Sequence, residues 1–177
     1  VLANTLYGVI ANKAFRFFDL SLASAITLSG QEALKTSIIE VDAFMRHLES
    51  GKDYIPPAPL TKKEMFSDEM PDRSNEYIIT GDTDSIFCCF QNFKNHDLTV
   101  ENIRGWCEKI ENFLNKDRII DLVKKHNVDL QFNRLNLKSE LVISRGLFLA
   151  KKRYAIRVID NEGQKVDKIN YMGVEIK

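Results

Sequence analysis

The sequence predicts an α+β fold, an antiparallel sheet with helices packed on one face, and three observations carry that expectation. Apolar residues recur at helical spacing in two separate stretches, before residue 50 and after residue 100. Short β-branched and aromatic runs, bounded by Gly, Asn and Asp, read as hairpin-linked strands. Helices and strands are therefore grouped along the chain, the arrangement of an α+β domain. A chain of 177 residues with 44% hydrophobic and 28% charged side chains suffices for one domain with a real core.

The elements follow in order. Residues 1–12 read as helix. Between Leu22 and Leu48, the residues Leu34, Ile38, Val41, Met45 and Leu48 recur at steps of four, three, four and three, one apolar stripe of a long amphipathic helix. Gly51 is placed to stop it. Pro56, Pro57, Pro59 and Pro71 all fall in one polar stretch ending near Glu76, which reads as a surface connection. Tyr77 to Ile79 and Ile86 to Phe90 flank Thr-Gly-Asp-Thr-Asp-Ser, the pattern of a β-hairpin whose turn carries two carboxylates. A second helix presents Ile103, Trp106, Ile110 and Phe113 on one face. Strands at Leu141 to Ser144, Leu147 to Val158 and Tyr171 to Ile176 complete the sheet, with breaks at Gly146 and at Asn161-Glu162-Gly163.

Composition excludes several classes. Eight Gly and four Pro rule out collagen-like and low-complexity chains, and no apolar run reaches membrane-spanning length. Three cysteines, Cys88, Cys89 and Cys107, without a C-x-x-C pair, disfavour a disulfide framework or structural zinc and fit a reducing, intracellular setting. His47, His96 and His126 show no metal-ligand spacing. Lys plus Arg equals Asp plus Glu at 25 each, yet the charges are segregated. Glu40 to Asp84 holds eleven acidic and five basic residues; Lys138 to Arg157 holds six basic and one acidic. An acidic locus suited to a cation can thus lie beside a basic surface suited to phosphate, although solvated faces would give the same counts.

Asp82 and Asp84 alternate with Thr83 at the hairpin tip. Two carboxylates so close repel unless a cation or water intervenes, and hard oxygen donors of this kind suit Mg²⁺. A bare D-x-D also serves ordinary turns, through backbone hydrogen bonds. The strand, G-D-T-D-S, strand arrangement resembles motif C of the family B DNA polymerases. Two further stretches agree in type and order: Asn4-Thr5-Leu6-Tyr7-Gly8 resembles the end of motif B, on the fingers helix, and Lys151-Lys152-Arg153-Tyr154 resembles the KKRY motif. A finer likeness to polymerases of T-even bacteriophages lies in Ile78-Ile79-Thr80, Ala25-Ile26-Thr27 with Gly30-Gln31, and Met172-Gly173-Val174-Glu175. Residues 48–76 and 91–135 carry no such likeness.

The resemblance implies that residues 1–12 end the fingers helix and that residues 13–177 form the C-terminal part of a palm domain, ending near the thumb. It implies Asp84 as the shared ligand of two Mg²⁺ ions, Asp82 as a second-metal or outer ligand, and Glu140 as an additional acid near the metals. For Glu140 an ordinary strand carboxylate paired with Lys138 or Arg145 serves as well. Asn4, Tyr7 and Gly8 would face the nucleotide and nascent pair; on a helix they share one face, where Tyr7 would equally suit a core. Lys151, Lys152, Arg153 and Tyr154 would grip the primer–template from one strand, with Lys152 and Tyr154 on the same side; a solvated charge run is the bland alternative. Primer–template DNA and a deoxynucleoside triphosphate are the implied partners, with a sliding clamp as a further one and no membrane. The motif B lysine and the motif A aspartate have no counterpart in these residues and are expected upstream, so the chain alone is expected to be inactive. A non-catalytic DNA-binding relative, or one chain of a split polymerase, accommodates the same motifs.

Overall fold

The computed structural model describes residues 8–67, 69–71, 76–82, 84–94 and 96–174. Its longest element is α1, Leu20–Ser50. Asp19 caps the start, its Oδ1 accepting the Leu22 N–H at 2.9 Å. Gly51 ends the helix in the left-handed conformation (φ 65°), donating its N–H to the His47 carbonyl, as the sequence predicts. The stripe buries Ile38, Val41 and Met45 against Tyr77, Ile78, Phe93, Ile110 and Leu114, with Leu34 and Leu48 at the margins of this core. The N-terminal third of α1 is different: Leu20, Leu22, Ile26 and Leu28 are exposed.

Within the proline-bearing connection lies a short helix, α2 (Lys62–Phe66), closed by a reciprocal Thr61–Glu64 capping box. It is tied to α1 by buried Lys35, whose ammonium donates to the carbonyls of Glu64 (2.7 Å), Met65 (3.1 Å) and Ser67. That end is where a helix carries partial negative charge. Further on, α3 (Val100–Phe113), a π-helical turn (Leu114–Arg118) and α4 (Ile119–Lys125) run on continuously. Trp106 on α3 packs on Phe90 and Phe93, at ring-centroid distances of 5.5 and 4.8 Å.

Among the described residues the strands form two antiparallel sheets instead of the single one expected. β1 (Ile78–Asp82) pairs with β2 (Ser85–Cys88), and β3 (Leu141–Ala150), β4 (Arg153–Asn161) and β5 (Gln164–Met172) make a three-stranded meander. Helix α1 covers the β1–β2 hairpin so closely that a Cβ on Gly81 would lie 2.6 Å from Ile38 Cδ1. At the other sheet, the Arg104 guanidinium of α3 reaches the Ser139 and Glu140 carbonyls and forms an ion pair with buried Asp160.

Three expectations about the second sheet need correction. Gly146 does not break a strand; it pairs with Ile156 inside β3, and the Phe148 ring fills the space its side chain would need. The chain reverses instead at Lys151-Lys152, between Ala150 and Arg153, so the four basic and aromatic residues are not all on one strand. β5 starts at Gln164, seven residues before the expected Tyr171. The Asn161-Glu162-Gly163 reversal is found, with Glu162 (φ 50°) and Gly163 (φ 85°) both left-handed, as a tight hairpin turn requires.

Candidate active site

The β1–β2 pairing closes as Asp82↔Ser85, which puts Asp84 in the turn itself. The turn is held by the Asp82 carbonyl, which accepts the Asp84 N–H at 2.6 Å and the Ser85 hydroxyl at 3.1 Å. Ser85 therefore closes the turn. The side chain of Asp82 is 19% exposed, whereas Asp84 stands in the open. Gly81 donates to the Met70 sulfur and lies under Ile38, so the base of the hairpin is clamped.

The Lys151-Lys152 turn comes to the same place. Lys152 Nζ lies 3.9 Å from Asp82 Oδ1. Between the two turns is a cleft of about 240 Å³, lined by Thr80, Asp82 and Phe87 from the first hairpin and by Ala150, Lys152 and Tyr154 from the second. Its floor is aromatic: Phe87 packs on Phe148 at 5.2 Å and on Tyr154 at 5.4 Å, with Phe148 and Tyr154 5.8 Å apart. These contacts fasten one hairpin to the other across the gap between sheets. Sequence reasoning missed Phe87 and Phe148. The signal for Phe148 was the odd-even position it shares with the cleft residue Ala150.

The basic turn is built unusually. Lys152 has φ 60°, a conformation most side chains avoid, in a turn without glycine. Gly173, at the end of β5, packs so near that a Cβ there would fall on the Lys152 carbonyl oxygen. Arg153 points to this same end, its Nε donating to the Gly173 carbonyl at 3.3 Å. Lys151 and Lys152 thus occupy the turn, and Tyr154 alone of the four is directed into the aromatic floor.

Glu140 is not brought here. It precedes β3 at the end paired with Asn161, whereas the cleft is at the Ala150 end. Ten residues of strand at about 3.3 Å each put roughly 30 Å between it and the basic turn. The expectation of an acid near Asp82 fails because it specified a neighbouring strand but not which end. Gly8 lies in helical residues 8–10, and among the described residues no atom comes within 4 Å of where a Cβ would be. Asn4 and Tyr7, like Thr83, lie outside the described residues. Burial pushes the Cys88 thiol up to about 12, so it stays protonated at neutral pH.

The donors at the cleft fit a hard divalent ion in part. Asp82 already faces one cation, the Lys152 ammonium, and Asp84 adds a second carboxylate two residues on. Among the described residues no three His, Cys, Asp or Glu side chains converge as a ligand set. Two carboxylates, with waters and substrate phosphates, are what Mg²⁺ ordinarily uses. No helix among the described residues is long and apolar enough to cross a membrane.

Comparison with known proteins gives one answer. The model of DNA polymerase family B matches residues 1–177. The DNA-directed DNA polymerase of Enterobacteria phage T4 is 24% identical over 197 residues, and that of Escherichia phage RB69 is 26% identical over 179. Each alignment covers 99% of this chain and 19% of the relative, so the chain spans about a fifth of the length of either.

Proposed function

The chain belongs to DNA polymerase family B, and from that premise we propose that it supplies the turn-borne carboxylates and the basic turn of a DNA-directed DNA polymerase. The observation that carries this reading is the 3.9 Å approach of Lys152 to Asp82 across one cleft. Two motifs some seventy residues apart in sequence meet there, an acidic one suited to a cation and a basic one suited to a nucleic-acid backbone.

In the proposed reaction the primer 3′-hydroxyl attacks the α-phosphate of a deoxynucleoside triphosphate in line, and pyrophosphate leaves. Two Mg²⁺ ions, when bound, supply charge neutralisation and a lowered pKa for the attacking hydroxyl. Asp84, exposed in the turn, would be the principal carboxylate to hold them, and Asp82 the second. The turn that holds both is fixed by its own hydrogen bonds and by the clamp at Gly81, so the carboxylates are positioned before substrate arrives. Lys151 and Lys152 face the primer–template as a rigid two-residue tip. Arg153 braces that tip through Gly173, and Tyr154 anchors it to the acidic hairpin. The tip would enter a minor groove or meet phosphates, where contact is indifferent to sequence. Asn4, Tyr7 and Gly8 are assigned to the nucleotide side on the motif B resemblance.

The ligand set needs at least one further acid, and Glu140 is too far away to provide it. The 177-residue chain alone is therefore expected to fold but not to polymerise. The test is made in a polymerase containing this chain together with the remaining parts of its family's active site. Asp84→Ala should lower nucleotide incorporation by about a hundredfold or more, near 3 kcal/mol in the barrier, while duplex affinity stays close to normal. Near-normal extension by that variant would remove the carboxylate assignment.

A further inference from the structure

We propose that Met70, on the connection between α1 and the acidic hairpin, is a positioning residue for Asp82, acting through the amide of Gly81. The inference rests on the proposed role of Asp82 and gives a task to a stretch, residues 48–76, that carries none of the family motifs. β1 pairs with β2 as Gly81↔Ile86 and Asp82↔Ser85. In an antiparallel ladder alternate residues turn their N–H groups towards the partner strand and away from it. That of Gly81 is turned away, onto the Met70 sulfur at 3.1 Å. The residue next to Asp82 is thus held on the outer side of β1 by the connection, as it is held on its face by Ile38.

Two features make this hold matter. The ladder slips between Ile78↔Cys88 and Thr80↔Phe87, leaving Ile79 as an extra residue. Such a bulge bends the strand and interrupts its pairing. The foot of the hairpin, where Asp42 accepts the Tyr77 N–H at 2.9 Å, therefore does not by itself fix the direction of Asp82 beyond the bulge. Gly81, moreover, is the least restrained residue type, set where Ile38 leaves no room for a Cβ. A side chain cannot stiffen the strand there, and a neighbour's sulfur does so instead. Met70 is itself well secured. Buried Lys35 ties α1 to the carbonyls of Glu64, Met65 and Ser67 shortly before it. Buried Pro71 follows and restricts the Met70 backbone to extended conformations. The side chain packs at the margin of the core that contains Ile38. Leucine would fill the same margin, but the thioether also offers the amide an acceptor.

The first arm of the experiment uses this chain, isotopically labelled, with hydrogen exchange of the Gly81 amide read by NMR. Met70→Leu nearly conserves volume, so Tm should fall by a few degrees at most. Gly81 should nevertheless exchange about tenfold faster, the effect of one lost hydrogen bond. The Tyr77 and Cys89 amides at the foot should keep their rates. Met70→Gln, which returns an acceptor at similar reach, should bring Gly81 back to within about threefold of its original rate. The second arm uses a polymerase that contains this chain with the remaining parts of its family's active site. Met70→Leu should lower turnover at saturating nucleotide by about three- to tenfold and leave nucleotide KM and duplex affinity within about twofold, because the alignment lost is one needed in the transition state. Met70→Gln should recover most of that loss, which a space-filling role would not produce. Unchanged Gly81 exchange in Met70→Leu, or no recovery in Met70→Gln, overturns the inference. Normal turnover in Met70→Leu where Asp82→Asn is impaired overturns it too, and leaves the role of Asp82 standing. If Asp82→Asn also turns over normally, the proposed role of Asp82 falls and the inference with it.

Discussion

Replacing Gly81 with alanine tests how the acidic hairpin is held. The added methyl would lie 2.6 Å from Ile38 Cδ1 and 3.5 Å from Cγ1, against an ordinary carbon–carbon contact of about 3.5–4 Å, so it intrudes by roughly 1 Å on one atom. Ile38 is 1% exposed and surrounded by the core, which leaves its terminal carbon little room to turn aside. Overpacking of this kind costs about 1–3 kcal/mol. Gly81 does not have the positive φ that would require glycine, so alanine recovers about 0.4–1 kcal/mol by restricting the unfolded chain. The net loss should be about 1–2 kcal/mol, a fall in Tm of roughly 2–8 °C for a chain of this size. Ile38→Val removes the offending carbon and alone costs about 0.5–1.5 kcal/mol. The double variant should therefore cost less than the sum, with a coupling near 1 kcal/mol. Urea unfolding followed by the fluorescence of Trp106, the single tryptophan, reads all four proteins. Strict additivity, or a neutral Gly81→Ala, would show that the hairpin does not bear on α1 as described.

Three other outcomes are expected. Lys152→Ala should weaken duplex binding by a similar factor for every sequence and reduce the slope of log affinity against log salt by about one, measured by fluorescence anisotropy across a salt series. Burial pushes the Glu32 carboxyl up, but Lys125 and His126 beside it outweigh that and hold it below the usual 4.5. Its contribution is complete above pH 4.5 and is lost as pH falls through the lowered value, so the stability gap between the unsubstituted chain and Glu32→Gln should narrow below pH 4.5 in urea unfolding. Glu40 shifts the other way: burial raises it more than the Tyr54 hydroxyl, which donates to it, lowers it. Glu40→Gln should therefore gain stability relative to the unsubstituted chain as pH rises from 4 to 7, and an unchanged difference would contradict the assignment.

What the sequence made legible were the features written in periodicity or in turn residues. The stripe from Leu34 to Leu48 is buried as its spacing requires, Gly51 stops the helix, and Gly-Asp-Thr-Asp-Ser forms a hairpin turn. The Lys151-Lys152 reversal was hidden because neither residue is a turn former; it is imposed by packing against Gly173 and by pairing on both sides. Gly146 misled for the opposite reason, since its glycine serves the Phe148 ring and not a bend. Of the candidate site, Asp82, Lys152 and Tyr154 converge. Glu140 does not, because a residue's strand can be inferred from local pattern but its end depends on which turn joins the strands.

The π-helical turn at Leu114–Arg118 makes the helix after residue 100 tolerant of a missing residue at one place. Ile110, Leu114, Ile119 and Val123 all face the interior, yet Leu114 and Ile119 are five apart, which in a regular α-helix would set them about 140° from one another round the axis. The wider turn absorbs that surplus residue and restores the row. Loss of exposed Lys116 or Asp117 would turn the five-step into a four-step and leave a straight helix with its apolar row still in line. The same deletion one turn earlier, between Ile103 and Ile110, would rotate everything beyond it and swing Lys125 and His126 off Glu32. Length variation among related chains should accordingly concentrate at this turn, where the helix carries a spare residue, and be purged from the turns on either side.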